Sequence, residues 1–255
     1  MHQDKLLDFL KSEADKPFYG WDFSYLEHRM ATAPMDWSYP SIILQKLRGE
    51  TPPQSLLDMG TGGGEFFSML RPFPPRTAAT EGYEPNVAFS RARLEPMGVK
   101  VVYFEDENHL PFQDGEFELI INRHESYAPR EVYRILAPGG EFITQQVGEI
   151  NDQELKRLLG APDNPNDTPW NLGYATHQLK DVGFKIIEAR ECFPETRIFD
   201  AGAVVYHLKA IPWEVPDFTV EKYYAPLRYI HEKIQEKGFL SVKSHRFLIV
   251  AKKEN

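Results

Sequence analysis

Cysteine is nearly missing from this chain. Its 255 residues hold one, Cys192, so no internal disulfide can form, and no cluster of cysteines and histidines has the spacing of a zinc site. That pattern points to a reducing, cytoplasmic setting and metal-free chemistry, with Cys192 read as a packing residue. Long apolar runs are missing as well, none reaching the roughly 18 residues that a membrane span needs. The opening MHQDKLLDFLKSEADK mixes charge into its apolar pattern and lacks the basic start, apolar block and cleavage site of a secretory signal. Basic charge is scarce, with 29 lysines and arginines against 38 aspartates and glutamates, a net charge of −9. A broad phosphate-binding surface is therefore disfavoured, and with it a nucleic-acid partner, although a local basic patch stays open. The sequence carries no internal repeat and no low-complexity tract.

What is present is an alternation. Residues 1–50 read as short helices forming an N-terminal cap, with Leu6, Leu7, Leu10 and Ala14 at helical spacing, then Phe23, Leu26 and Met30, then Ile42, Ile43 and Leu47. From Ser55 the pattern changes to short apolar runs separated by helical stretches: SLLDM, TAAT, VKVVYF, FELIIN and GEFIT. This predicts five βα units between residues 55 and 147. Residues 149–174 read as a polar loop with some helix, followed by a helix over 176–182 and a strand over 184–189. An aromatic, proline-bearing insertion spans 194–237, with a helix from about Thr219 to Lys237, and SHRFLIVAKK closes the chain as a last strand. The expected fold is α/β: a doubly wound, seven-stranded, mostly parallel sheet with an antiparallel last strand, in one domain over 51–255 with its core at 54–148.

The sharpest local signal is LLDMGTGGGEFF. Asp58 ends a strand, and Gly60, Gly62 and Gly64 alternate through a turn before a helix begins. Glycines there permit positive φ or the close approach of a ligand to the backbone. A dinucleotide fingerprint would place glycine where Glu65 stands, and Asp58 would repel a pyrophosphate while accepting a hydrogen bond from an ammonium group, so the loop favours a cationic ligand over a nicotinamide cofactor. In TAATEGYEPN, Glu81 sits at the end of the second strand, where a carboxylate can hold both hydroxyls of a ribose; Glu84 is its rival.

DMGTGGG resembles the first motif of class I S-adenosylmethionine-dependent methyltransferases, acid-x-Gly-x-Gly-x-Gly. FEDENHLPFQDGEFELI is similar to their third and fourth strand region, and VYRILAPGGEF to their LxPGG turn before the fifth strand. The resemblance covers residues 54–147 and extends to the last two strands. It implies a Rossmann-like fold, S-adenosylmethionine as cofactor and S-adenosylhomocysteine as product, with no metal. It assigns to the cofactor Asp58, Gly60, Thr61, Gly62, Gly64, Glu81, Gly82, Asp106 (to the exocyclic amine of adenine), Glu107 (by its backbone amide), Asn122 and Arg123.

Methyl transfer is an in-line displacement in which alignment and desolvation supply most of the acceleration, so an obligatory catalytic residue is not required. Candidates stand where the fourth strand ends in INRHESYAP. His124, with an ordinary pKa near 6.5, can serve as a base, with Glu125, Ser126 and Tyr127 facing the acceptor; the alternative is that His124 and Glu125 form a structural pair. Gln145 and Gln146 are polar for a strand end and are candidates to hold the substrate, as are Tyr19 and Trp37, among the aromatics expected to close over the edge of the sheet. The expected partner is a small molecule, with an RNA substrate or a non-catalytic S-adenosylmethionine-binding module as alternatives.

Overall fold

A computed structural model describes residues 4–19, 21–162 and 169–254. Residues 163–168 of the polar loop expected at 149–174 lie outside them. In chain order the first elements are helix α1 (Lys5–Ala14), strand β1 (Met30–Thr32), α2 (Tyr39–Leu47), β2 (Ser55–Met59), α3 (Glu65–Ser68), β3 (Arg76–Glu81) and α4 (Glu84–Leu94). Then come β4 (Lys100–Tyr103), β5 (Phe117–Arg123), α5 (Pro129–Ile135), β6 (Leu136–Val147), α6 (Gln153–Leu159), α7 (Leu172–Asp181) and β7 (Phe184–Cys192). The chain finishes with β8 (Glu195–Ile198), α8 (Ala201–Ala210), α9 (Tyr224–Lys237), β9 (Leu240–Lys243) and β10 (Arg246–Lys253). Among the described residues no helix is long and apolar enough to cross a membrane.

The chain divides into two compact units. One comprises Met1–Met35, Glu149–Thr168 and Phe193–His245; the other comprises Asp36–Gly148, Pro169–Cys192 and Arg246–Asn255. The second unit holds a seven-stranded sheet in the order β4-β3-β2-β5-β6-β10-β7. All its pairings are parallel except those of β10, which runs antiparallel to both neighbours. This is the expected doubly wound architecture. Strands β2, β3 and β4 advance toward one edge, and β5 returns to the other side of β2, so the order switches between β2 and β5, where such sheets open a crevice at their carboxyl ends.

Strand β2, SLLDM, is buried at every position, as a central parallel strand covered on both faces must be. The core beneath includes Phe117, Phe142, Phe184 and Phe247. Helix α2 follows the N-cap Ser38, whose hydroxyl accepts from the Ser41 amide, and belongs to this sheet unit rather than to residues 1–35. Only three helices lie between the first five strands, because residues 104–116 form no helix between β4 and β5. Pro111 and Gly115 punctuate that stretch, and α5 ties it down. The Arg134 guanidinium donates to the carbonyls of Phe112 (2.8 Å) and Leu110 (3.1 Å), and Glu131 accepts from the Leu110 amide at 2.7 Å.

The other unit contains elements that the sequence pattern does not announce. Strands β1, β8 and β9 form a three-stranded antiparallel sheet, where residues around Met30 read as helix; runs of three or four residues are too short for a period of two to register. Helix α8, AGAVVYHLKA, is apolar almost all round and correspondingly buried, so it offers no amphipathic stripe. Asp200 caps it, accepting from the Ala203 amide at 2.9 Å, and also pairs with Arg29, which reaches Glu13 of α1 at 2.7 Å. Gly202 is required there, since a Cβ would lie 2.7 Å from Glu13 and Phe9 atoms.

Within the sheet unit, Phe142 is fully buried against Tyr127 and Phe184. Phe142→Ala is expected to cost about 3–5 kcal/mol, read as a fall in the urea midpoint of unfolding.

Candidate functional site

All the residues described here except Tyr19 belong to the sheet unit. Strand β2 ends at Met59 and the chain turns through Gly60 (φ +68°), Gly62 (+61°) and Gly64 (+79°) into α3. Side chains are disfavoured in that conformation, and space forbids them too. A Cβ on Gly60 would fall 2.4 Å from Cγ of Glu125, and one on Gly64 2.8 Å from Cγ of Leu94. The loop is tied to β3 through Thr80, whose carbonyl accepts from the Thr61 amide (2.9 Å) and whose hydroxyl accepts from the Gly60 amide (3.3 Å).

Acids gather around this loop. Asp58 is 4% exposed, and burial, with the charge of Glu81 adding to it, pushes its carboxyl up to about 7 against the pull of Arg123. Glu81 ends β3, also 4% exposed, and burial raises it as well, opposed by hydrogen bonds that include the Tyr83 amide at 2.7 Å. Its rival Glu84 is exposed in the first turn of α4. Glu125 is pushed up to about 7 by burial, then by Glu81 and Glu107. Glu107 accepts from the Ser126 hydroxyl at 2.5 Å. Arg123 is the cation facing Asp58, its guanidinium 4.6 Å from the centre of the Phe66 ring. Buried carboxylates without matching cations are costly, so the site suits a positively charged ligand. Gly82 follows Glu81 and lies against the Phe104 ring.

Asp106 is differently engaged. It is exposed, and its oxygens are taken by its own turn: Oδ1 accepts from the Asn108 amide (2.9 Å), and Oδ2 lies 2.6 Å from Nδ1 of His109, which holds its carboxyl down at about 2.

The ends of β5 and β6 carry a polar network. Trp37, 7% exposed, donates through Nε1 to Oε1 of Gln145 (2.9 Å), and Gln145 Nε2 donates to His124 Nε2 (3.1 Å). The His124 amide donates to the Gln145 carbonyl at 2.8 Å. His124 thus pairs with Gln145 and not with Glu125. Its backbone has φ +61°, a strained value for a non-glycine residue. Burial, with Arg246 and Arg123, lowers its pKa well below the usual value, so the ring is neutral, and an Nε2 that accepts from Gln145 leaves the proton to Nδ1. With the Nε2 lone pair engaged and basicity low, His124 is poorly suited to the base role that the sequence suggested.

Asn122 accepts from Thr144 Oγ1 (2.9 Å) and Gln146 Nε2 (2.6 Å), its carbonyl accepts from the Tyr39 hydroxyl (2.9 Å), and Gln146 also donates to the Glu125 carbonyl (3.0 Å). Gln145 and Gln146 are therefore committed to internal partners rather than free to hold a substrate. The buried Asn122 Nδ2 has no protein partner, which fits an atom that awaits a ligand, and the Thr61 hydroxyl sits beside Asp58, whose carboxyl it helps to hold down against burial. Tyr127 lies in the core, packed on Phe142 and Trp170, instead of facing an acceptor. Tyr19 is 71% exposed and belongs to the other unit. Sequence reasoning did not single out Thr80 or Thr144, and took Tyr39 only as one of the aromatics over the edge of the sheet; their hydrogen-bond partners reveal their use.

Residues 57–144 match the family described as Methyltransferase domain. A Thermus thermophilus demethylmenaquinone methyltransferase is 33% identical over 104 residues, 37% of this chain and 47% of the relative, so the chain spans about half the length of that curated relative. A solved Bacillus halodurans protein superposes with a TM-score of 0.62 at 20% identity over 86% of this chain and 100% of the other. The [4+2]-cyclase SpnF does so with a TM-score of 0.53 at 17% identity over 98% and 93%. The resemblance of the motifs to class I S-adenosylmethionine-dependent methyltransferases is borne out, and the sheet is of the Rossmann-like methyltransferase type.

The Asp58 carboxyl keeps its proton to about pH 7 in the folded chain and only to about 4 when unfolded. The folded state therefore binds the extra proton between those values, and stability is lost as pH rises through that window. Asp58→Asn removes the penalty. In ligand-free protein its unfolding free energy relative to the native chain is expected to be higher at pH 8 than at pH 5, by no more than about 3 kcal/mol, measured by denaturant titration at the two pH values.

Proposed function

We propose that this chain, whose residues 57–144 match a methyltransferase domain, transfers a methyl group from S-adenosylmethionine to a small-molecule acceptor in the cytoplasm. The observation that carries this reading is the glycine loop ringed by under-compensated carboxylates, Asp58 and Glu81 buried and Glu125 half-buried. Such a site repels the phosphates of a dinucleotide and suits a ligand bearing ammonium and sulfonium charges. When bound, S-adenosylmethionine supplies an electrophilic methyl group on a positively charged sulfur.

The residues divide the work. Asp58 takes the ammonium group and Arg123 the carboxylate of the methionine moiety. Glu81 holds the ribose hydroxyls, flanked by Gly82, while Asn122 offers its unpartnered Nδ2 and Thr61 acts beside Asp58. Glu107 meets the adenine ring through its backbone amide; Asp106 does so only by giving up bonds within its turn. The Trp37–Gln145–His124 chain and the Gln146 amide are positioning devices that fix the backbone before Glu125. Glu125, ionising near pH 7, is the better placed proton acceptor of the two sequence candidates. The reading of a small-molecule acceptor rather than RNA is supported by the acidic balance of the chain, net charge −9. A second reading, cofactor binding without methyl transfer, is kept by one finding: a [4+2]-cyclase shares the fold, and fold alone does not decide a reaction.

Calorimetric titration tests the assignment. S-Adenosylmethionine and S-adenosylhomocysteine are expected to bind at micromolar concentration and NAD not at all. Glu81→Ala is expected to weaken both by about tenfold or more, the worth of a pair of charge-assisted hydrogen bonds, and Glu84→Ala to change neither. The reverse pattern moves the ribose contact to α4, and absence of binding in a folded protein overturns the reading.

A further inference from the structure

The space above Gly60 belongs to Glu125. A Cβ on that glycine would meet Cγ of Glu125 at 2.4 Å, Cβ at 2.5 Å and Oε2 at 2.8 Å. The side chain is thus laid against the loop, and a ligand crossing Gly60 meets it. The backbone that delivers it is held on both sides: the Gln146 amide donates to the Glu125 carbonyl at 3.0 Å, and the preceding His124 is locked in its strained turn through Gln145. The Ser126 hydroxyl stands 3.4 Å from Oε1 of Glu125 and 2.5 Å from Glu107. The leading charges that act on Glu125 are Glu81 from β3 and Glu107 from the loop after β4, both acids, while Arg123 and Arg246 act on the adjacent His124. Asp58, by contrast, faces Arg123. Glu125 is therefore a half-buried acid laid on the loop, with two further acids as the leading charges around it.

We propose that Glu125 is the specificity-determining residue that reads positive charge at the reacting centre, favouring the sulfonium cofactor over its neutral thioether product. The proposal rests on the methyltransferase reading above. S-Adenosylmethionine and S-adenosylhomocysteine differ by one methyl group and one unit of charge, so a site that separates them has little besides electrostatics to use. At an effective dielectric of about 20, a carboxylate within roughly 10 Å of a unit charge is worth tenfold or more. Transfer of the methyl group cancels the attraction, and the product leaves more readily than the cofactor.

The native protein, Glu125→Gln and Glu125→Asp are titrated at pH 8.5 with S-adenosylmethionine, S-adenosylhomocysteine and sinefungin, an analogue with an ammonium group in place of the methylsulfonium. The native protein is expected to bind both cations at least about tenfold more tightly than the product, and Glu125→Gln to bind all three within about threefold. Glu125→Asp retains part of the preference and serves if the amide does not fold. Removing a carboxylate that faces two other acids is expected to leave the thermal melt unchanged or raised. Asp58 titrates over the same range, so the effect of lowering the pH to 6 is read as the difference between the native protein and Glu125→Gln: the native preference shrinks and that of the variant does not. A full preference surviving in Glu125→Gln, or an equal loss of all three ligands, overturns the proposal and leaves the methyltransferase reading standing. A native protein that binds none of the three overturns that reading itself.

Discussion

Burial of β2 on both faces is the constraint from which the rest follows. A strand closed in on either side admits polar side chains only where it runs out, and Asp58 stands at that place, one residue before the end of SLLDM. The same holds for its neighbours: Glu81 ends β3 and Asn122 lies near the end of β5. The parallel register sets Met59 beside Asn122 and Asn122 beside Thr144, so the polar ends of β2, β5 and β6 align across the sheet. The switch in strand order between β2 and β5 then separates the connections and opens the crevice where these groups meet.

Two kinds of cost are concentrated there. One is electrostatic, since Asp58, Glu81 and Glu125 are all raised by burial with Arg123 as the opposing charge that Asp58 faces. The other is conformational, in the positive φ of His124, held by its two bonds to Gln145 and behind them by Trp37. Neither contributes to stability. Both become intelligible if the carboxylates and the turn are arranged for a ligand that brings its own positive charge.

Much of this was legible in the chain. The alternation of apolar runs and helical stretches from Ser55 onward yields the strand order because parallel strands with crossover helices leave few topologies, and the three glycines mark a turn that no other residue makes. The stretch between β4 and β5 was legible only in part. Its glycine and proline were plain, but its tethering by Arg134 and Glu131 depends on side chains about twenty residues away. Strands β1, β8 and β9 escaped because three or four residues carry no period, and α8 because a helix buried on every side has no polar face to betray it.

The individual roles of the site residues divide along the same line. Glycine at 60, 62 and 64, acids at 58 and 81, and the polar run Asn122–Glu125 are properties of the sequence, since residue type limits backbone conformation and charge wherever the chain goes. Which of these groups is free was decided by tertiary structure alone. Gln145 is bound to His124 and Trp37, Gln146 to Asn122 and Thr144, and Tyr127 is turned into the core, while Glu125 reaches Gly60. A side chain's chemistry is carried by its own atoms, but its availability depends on the partners that distant segments bring, and those exist only once the sheet has formed.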